Sequence, residues 1–155
     1  MPATSGFRSV VIGVDGSANS RRAVAAVARL RPPARGRVVV VRVVEPVRAP
    51  SLALLPGRVR AHISAGGMAL DATRLKAAQR DAEAAARRLR AAGWRAQGEV
   101  RQGVPLHELL RAVRSARGNL LAVGARGIGG IARLLLGSVA EGAIRRSPVS
   151  VLVVR

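Results

Sequence analysis

The sequence predicts an α/β fold, a three-layer sandwich in which helices cover both faces of a five-stranded parallel sheet. Three observations predict it. Ser9–Val14 (SVVIGV) and Arg37–Val44 (RVVVVRVV) are continuous β-branched runs, the pattern of strands buried on both faces of a parallel sheet. Segments of helical periodicity alternate with such runs along the chain, which implies right-handed crossovers around one sheet. Residues 119–138, NLLAVGARGIGGIARLLLGS, carry an apolar strand into a glycine-rich loop and then a helix start, an anion-binding geometry.

Taken in order, the first strand is broken by Asp15-Gly16-Ser17. A helix follows over residues 20–30, with Ala23, Val24, Val27, Ala28 and Leu30 apolar and Arg31-Pro32-Pro33 as the stop. The valine-rich second strand ends at Glu45-Pro46. Residues 46–67 hold Pro50, Pro56, Gly57, Gly66 and Gly67 and are expected to form an irregular surface excursion, long enough to suggest a functional flap. Residues 68–92 read as an alanine-rich helix with Leu70, Leu75, Ala78, Ala82, Ala85 and Leu89 in its buried stripe and Gly93 as its cap. Residues 94–101 alternate weakly as a third strand. Gly103-Val104-Pro105 turns the chain into a helix over 106–116, and 119–123 form the fourth strand. The last helix is Ser138–Arg146, with Glu141 in its first turn and Arg145 and Arg146 in its last, the charge order favoured by the macrodipole. Residues 149–154, VSVLVV, are the fifth strand. No internal repeat or second domain is expected within residues 1–155.

Composition narrows the function. A chain of 155 residues with 49% hydrophobic content can bury a real core. With no apolar stretch of membrane-spanning length and no apolar segment at the N-terminus, a cytoplasmic protein without a membrane partner is expected. Zero cysteines exclude disulfides and thiolate chemistry. The net charge of +19 favours polyanions, yet only 1% of the residues are aromatic, Phe7 and Trp94, too few for a stacking platform. The arginines never form a run and are expected to be mostly solvated helix faces.

The glycine loop is neither of two familiar phosphate loops. A P-loop requires lysine before its Ser/Thr, and the only lysine is Lys76. Gly127, Gly129 and Ala132 fit G-x-G-x-x-A, but near Leu152, where a ribose-binding acid belongs, there is none. The spacing that stands out is Gly124, two residues, Gly127, nine residues, then Gly137-Ser138. In this signature the chain resembles the universal stress protein family, whose nucleotide-binding members carry G-x2-G-x9-G-[S/T]. The likeness extends to VVIGVDGS, VRVVEP, Gly103 to Pro105 and SPVSVLVV. It implies a Rossmann-like sheet of the adenine nucleotide α-hydrolase type.

Parallel sheets bind ligands at the carboxyl ends of strands where the connection order reverses. In a sheet ordered 3-2-1-4-5 that point lies between strands one and four, where Asp15 to Ser17 and Gly124 to Ser138 should meet. The resemblance implies ATP, possible as its Mg2+ complex, with Asp15, Gly16 and Ser17 at the ribose or adenosine end and Val43 or Val44 against adenine. It also implies Val123 and Gly124 beside the ribose, and Gly127, Gly137, Ser138 and Val139 around the phosphates. Arg126 and Arg133 are within reach of phosphate oxygens as charge-assisted donors, or else solvated. Asp-Gly-Ser is also a common turn and Ser138 an ordinary N-cap, but capping needs one serine and no pair of glycines ten residues apart.

No carboxylate pair or histidine dyad converges on the phosphates, so binding without efficient turnover is expected, with no catalytic residue and no identified metal ligand set. His62 and His107 read as surface residues, and Asn119 as part of the turn before strand four. The resemblance further implies a homodimer through residues 149–154, an apolar edge strand that needs covering. The alternative from a different class is a basic nucleic-acid or polyanion binder without nucleotide specificity, driven by the +19 charge. An adenylating ligase of the related group lacks its S-G-G-x-D motif here.

Overall fold

β1 (Ser9–Val14) lies at the centre of the sheet, paired in parallel with β2 (Arg37–Val44) on one side and β4 (Leu120–Gly124) on the other. β3 (Arg95–Gln102) and β5 (Ser150–Val154) form the edges, giving the order β3-β2-β1-β4-β5. The computed structural model describes residues 6–46, 56–127 and 136–155. Gly129, Gly130, Arg133 and the first part of the expected flap lie outside the described residues.

The pleat divides the valines of the central strands between two cores. Val10, Ile12, Val38 and Val40 face α1 (Ala18–Arg29) and α2 (Gly57–Ala91), where they meet Val27, Ala82, Leu89 and Trp94. Val11, Val39, Val41 and Leu121 face α3 (Pro105–Ser115) and α4 (Ser138–Arg146), packing on Leu109, Val113, Ala140 and Ala143. Both faces of β1 are dry, which explains why its sequence shows no polar alternation. At Gly98 of β3 the helix backbone comes so close that a Cβ would stand 2.8 Å from the Ala82 carbonyl carbon. Glycine there sets the depth at which α2 seats on the sheet edge.

The helix starts and stops follow capping chemistry more than apolar periodicity. Ser17 caps α1, which begins at Ala18 and not at Ser20, its Oγ accepting the Ser20 N–H at 3.1 Å. Trp94, expected to begin the third strand, is instead buried in the core before it. Asn119 precedes β4 and its Oδ1 accepts the Ser9 N–H at 3.1 Å, fixing the turn before that strand as expected.

The larger correction concerns residues 57–67. They are helical, not irregular: α2 begins at Gly57 and runs unbroken for 35 residues. Gly66 and Gly67 read as breakers, but each sits in open space on an exposed stretch, where glycine costs only about 1 kcal/mol against alanine. The second half of the helix, anchored by Ala78, Ala82, Ala86 and Leu89, offsets that cost. Leu70 was expected in the buried stripe and is 57% exposed, because that part of α2 extends past the sheet. His62 accordingly lies on this helix, exposed.

Charge is sorted along the strand axis. Among the described residues, no carboxylate lies in a strand's first three residues or a helix's last turn, whereas all four helices carry arginine in that turn. Arg35 (φ 71°) and Arg117 (φ 47°) are, among the described residues, the non-glycine residues with left-handed backbone, a conformation costing roughly 1 kcal/mol for a residue with a Cβ.

Candidate functional site

At the carboxyl ends of β1, β2 and β4 a cleft of about 740 Å3 opens, at the point where the connection order reverses. Its floor comes from Gly13 and Val14 of β1, Val43 and Val44 of β2, and Val123 and Gly124 of β4. Successive residues of β2 point to opposite faces, so Val43 joins the α3–α4 core while Val44 stays half-buried at the rim.

The two polar loops meet above this floor. Asp15 forms the turn that Asp-Gly-Ser predicts, its Oδ1 accepting the Ser17 N–H at 2.9 Å, with Gly16 left-handed at φ 83°. The other carboxylate oxygen faces the glycine loop, where a Cβ on Gly127 would stand only 2.5 Å from Oδ2. Ser17 Oγ donates to the Arg126 carbonyl at 3.3 Å and links the two loops. At Gly124 a Cβ would meet the Asn19 backbone at 2.7 Å, so β4 and the start of α1 touch backbone to backbone.

The start of α4 forms the opposite wall. Gly137, not Ser138, occupies the N-cap position and no side chain caps the helix, so the capping role expected for Ser138 is not the one it has. Ser138 is the first helical residue and lines the cleft with Val139 and Ala140. The Gly137 N–H already donates to the Ala125 carbonyl at 2.7 Å, and the Glu141 N–H closes the first helical turn on Gly137 O at 2.9 Å. The donors left for an anion are the N–H groups of Ser138, Val139 and Ala140. Gly137 therefore shapes the turn instead of donating to a ligand, a correction to its expected role.

Of the residues singled out from the sequence, Asp15, Val43, Val44, Val123, Gly124, Arg126, Gly127, Gly137, Ser138 and Val139 line this one cleft. Gly16 and Ser17 do not line it and stand behind its wall as turn and cap. Sequence reasoning missed the wall supplied by α2 and the end of β2: Arg42, Glu45, Arg74 and Asp81. Arg42 Nε lies 3.8 Å from Asp81 Oδ2 and is otherwise buried without a hydrogen bond. An arginine interrupting RVVVVRVV was the available signal. Three of the chain's eight acids, Asp15, Glu45 and Asp81, thus line the cleft together with three arginines, Arg42, Arg74 and Arg126. Among the described residues no group of three or more His, Asp or Glu gathers at metal-holding spacing.

The model of the universal stress protein family matches residues 6–155. The chain belongs to the universal stress protein family. No curated protein matches it in sequence. Among solved structures, hypothetical protein MJ0577 superposes with a TM-score of 0.80 at 19% identity, over 96% of this chain and 95% of that one. A universal stress protein in complex with cAMP aligns with a TM-score of 0.65 at 27% identity, over 97% and 98%. A family protein from Arabidopsis thaliana with AMP bound gives 0.55 at 16%, over 94% and 90%. Similarity below 25% identity speaks to the shared sheet and helices alone. This universal stress protein has no helix, among the described residues, long and apolar enough to cross a membrane.

Proposed function

We propose that this universal stress protein is a single-domain regulatory protein that binds ATP in the cleft between β1 and β4, without efficient turnover. The observation that carries the reading is the opposition, across one cleft, of an uncapped helix N-terminus and the Asp15 carboxylate. The free amides of Ser138, Val139 and Ala140 suit a phosphate chain, helped by the helix dipole. Asp15 suits ribose hydroxyls, which donate hydrogen bonds that a carboxylate accepts. Val43 and Val44 offer apolar surface to a base.

Arg126 lines the phosphate side and supplies a charge-assisted donor. If Mg2+ accompanies the triphosphate, Asp15 and Ser138 are the oxygens near enough to its waters. Of the cleft's other carboxylates Asp81 is paired with Arg42 and Glu45 lies at the end of β2, and among the described residues no histidine lines the cleft to orient an attacking water, so the site favours holding the nucleotide over hydrolysing it. The relatives with cAMP and AMP support an adenine nucleotide as the ligand class. A polyanion reading of this cleft is disfavoured by its balance of three acids against three arginines, which a general phosphate groove would not carry.

The same proposal includes a cytoplasmic homodimer paired through β5, whose Val151, Leu152, Val153 and Val154 are all only half-buried at the sheet edge.

The test is direct. Protein purified without added nucleotide, then denatured, should release a molecule with the mass of an adenine nucleotide. Calorimetry of the emptied protein should give saturable ATP binding that Gly127→Val, which pushes a side chain against the Asp15 carboxylate, weakens at least tenfold while the variant stays folded by circular dichroism. Unaltered ATP affinity in that folded variant would overturn the reading.

A further inference from the structure

The end of the sheet opposite the cleft is almost wholly cationic, and its arginines, scattered in sequence, are gathered by the fold. The Arg37 N–H donates to the Arg8 carbonyl at 2.9 Å, and the Arg95 N–H donates to Gly36 O at 3.1 Å. Arg37 and Arg95 are register partners on neighbouring strands, and the Arg37 guanidinium reaches the carbonyl of Ala116, the residue before Arg117. Arg8, Arg35, Arg37, Arg95 and Arg117 therefore form one exposed row at the starts of successive strands, at about the 4.8 Å strand spacing. Like charges placed side by side on adjoining strands repel. Among the described residues none of these five is ion-paired, although carboxylates elsewhere pair with Arg42, Arg74, Arg90, Arg101, Arg111 and Arg145.

Backbone conformation adds an independent observation. Arg35 and Arg117 are left-handed, at turns where glycine would sit without strain, and both belong to this row. Two strained positions carry the residue that adds charge, not the residue that relaxes the turn. Beside the row lies a second groove of about 790 Å3, whose wall includes Arg37, Arg90, Arg95 and Arg101.

We propose that this row is a docking surface for the phosphodiester backbone of double-stranded nucleic acid, separate from the nucleotide cleft. Planar guanidinium groups present forked donors that match phosphate oxygens, where lysine would offer only a point charge. A single strand is disfavoured because it needs aromatic stacking: Trp94 is buried, which leaves Phe7 as the exposed member of the chain's two Phe, Tyr or Trp residues. An anionic bilayer is disfavoured because it needs one contiguous apolar face to seat in the interface, and among the described residues the large apolar side chains exposed towards this end, Phe7, Leu30 and Ile144, come from separate elements, Leu30 and Ile144 from helices on opposite faces of the sheet. Contact is with backbone and shape, so no sequence preference follows. The row lies one strand length, about 20 Å, from the cleft, so the two sites do not compete.

The experiment measures binding of the full chain to a fluorescent 25-base-pair duplex by anisotropy over a salt series. Log affinity should fall linearly with log salt, and each arginine removed from the row should lower the slope by about one and the affinity about fivefold at 0.15 M salt. Arg35→Gly with Arg117→Gly relieves both left-handed turns, so this variant should melt no lower than the parent while binding the duplex more than tenfold more weakly. Arg8→Gln with Arg95→Gln repeats the test without touching the turns. Arg22→Gln with Arg58→Gln removes the same charge elsewhere and should leave binding within a factor of about three. Equal losses in the row variants and this control would overturn the proposal in favour of diffuse net-charge attraction. Tighter binding to phosphatidylserine vesicles than to the duplex, lost in the row variants, would overturn it in favour of a membrane surface.

Discussion

Asp15 performs two tasks with two oxygens, and this division is the clearest residue-scale lesson of the site. One oxygen holds the turn through the Ser17 N–H while the other lies against Gly127 where the two loops meet. From the sequence, turn former and ligand contact looked like rival explanations of Asp-Gly-Ser, and the geometry makes them compatible. Gly16 is required by its φ of 83°, so Gly16→Ala should lower stability by about 1 kcal/mol, measured by urea unfolding, and weaken ATP binding through the displaced carboxylate. Gly137 takes the N-cap position that was the alternative reading of Ser138, because the cap is fixed by where the chain turns after Ala125, a tertiary hydrogen bond that no local pattern reveals. Arg42 left a local signal, an arginine inside a valine run, but its partner Asp81 did not, because the two come from a strand and a helix whose juxtaposition depends on the packing of α2.

At the scale of elements, the strands were legible almost to the residue. β1 and β2 are buried on both faces, and a fully dry strand leaves an unmistakable β-branched run. β3 was harder, since as an edge strand it carries Arg95, Gln97, Glu99 and Arg101 toward solvent on one face. The first turns of α2 were misread because glycine and proline were weighed locally, while the helix is held by contacts made twenty residues later. Those contacts depend on Gly98. Gly98→Val would force side-chain atoms against the Ala82 backbone and should destabilise the fold by about 3 kcal/mol, the upper range for overpacking, read as a lower midpoint in chemical denaturation.

For the whole molecule, alternation along the chain predicted the parallel sheet, and the family resemblance together with the strand order 3-2-1-4-5 predicted the convergence of two loops at its switch point. The distribution of charge was not: arginines that form no run in sequence meet at one end of the sheet because parallel strands begin there together and helices end there together. Assembly belongs to this scale too. Light scattering at micromolar concentration should give twice the 16.1 kDa chain mass, and Val153→Lys on the β5 edge should return it to one. The length of α2 has a consequence of its own. Thirty-five helical residues span about 52 Å, about twice the length of the eight-residue strand beside them, so the leading turns project into water with Val59, Ile63 and Leu70 uncovered. Trypsin should therefore cleave first after Arg58 and Arg60, and the two pieces should stay together as a nicked but intact particle, sewn by the hydrogen bonds that β2 shares with β3 and β1 with β4.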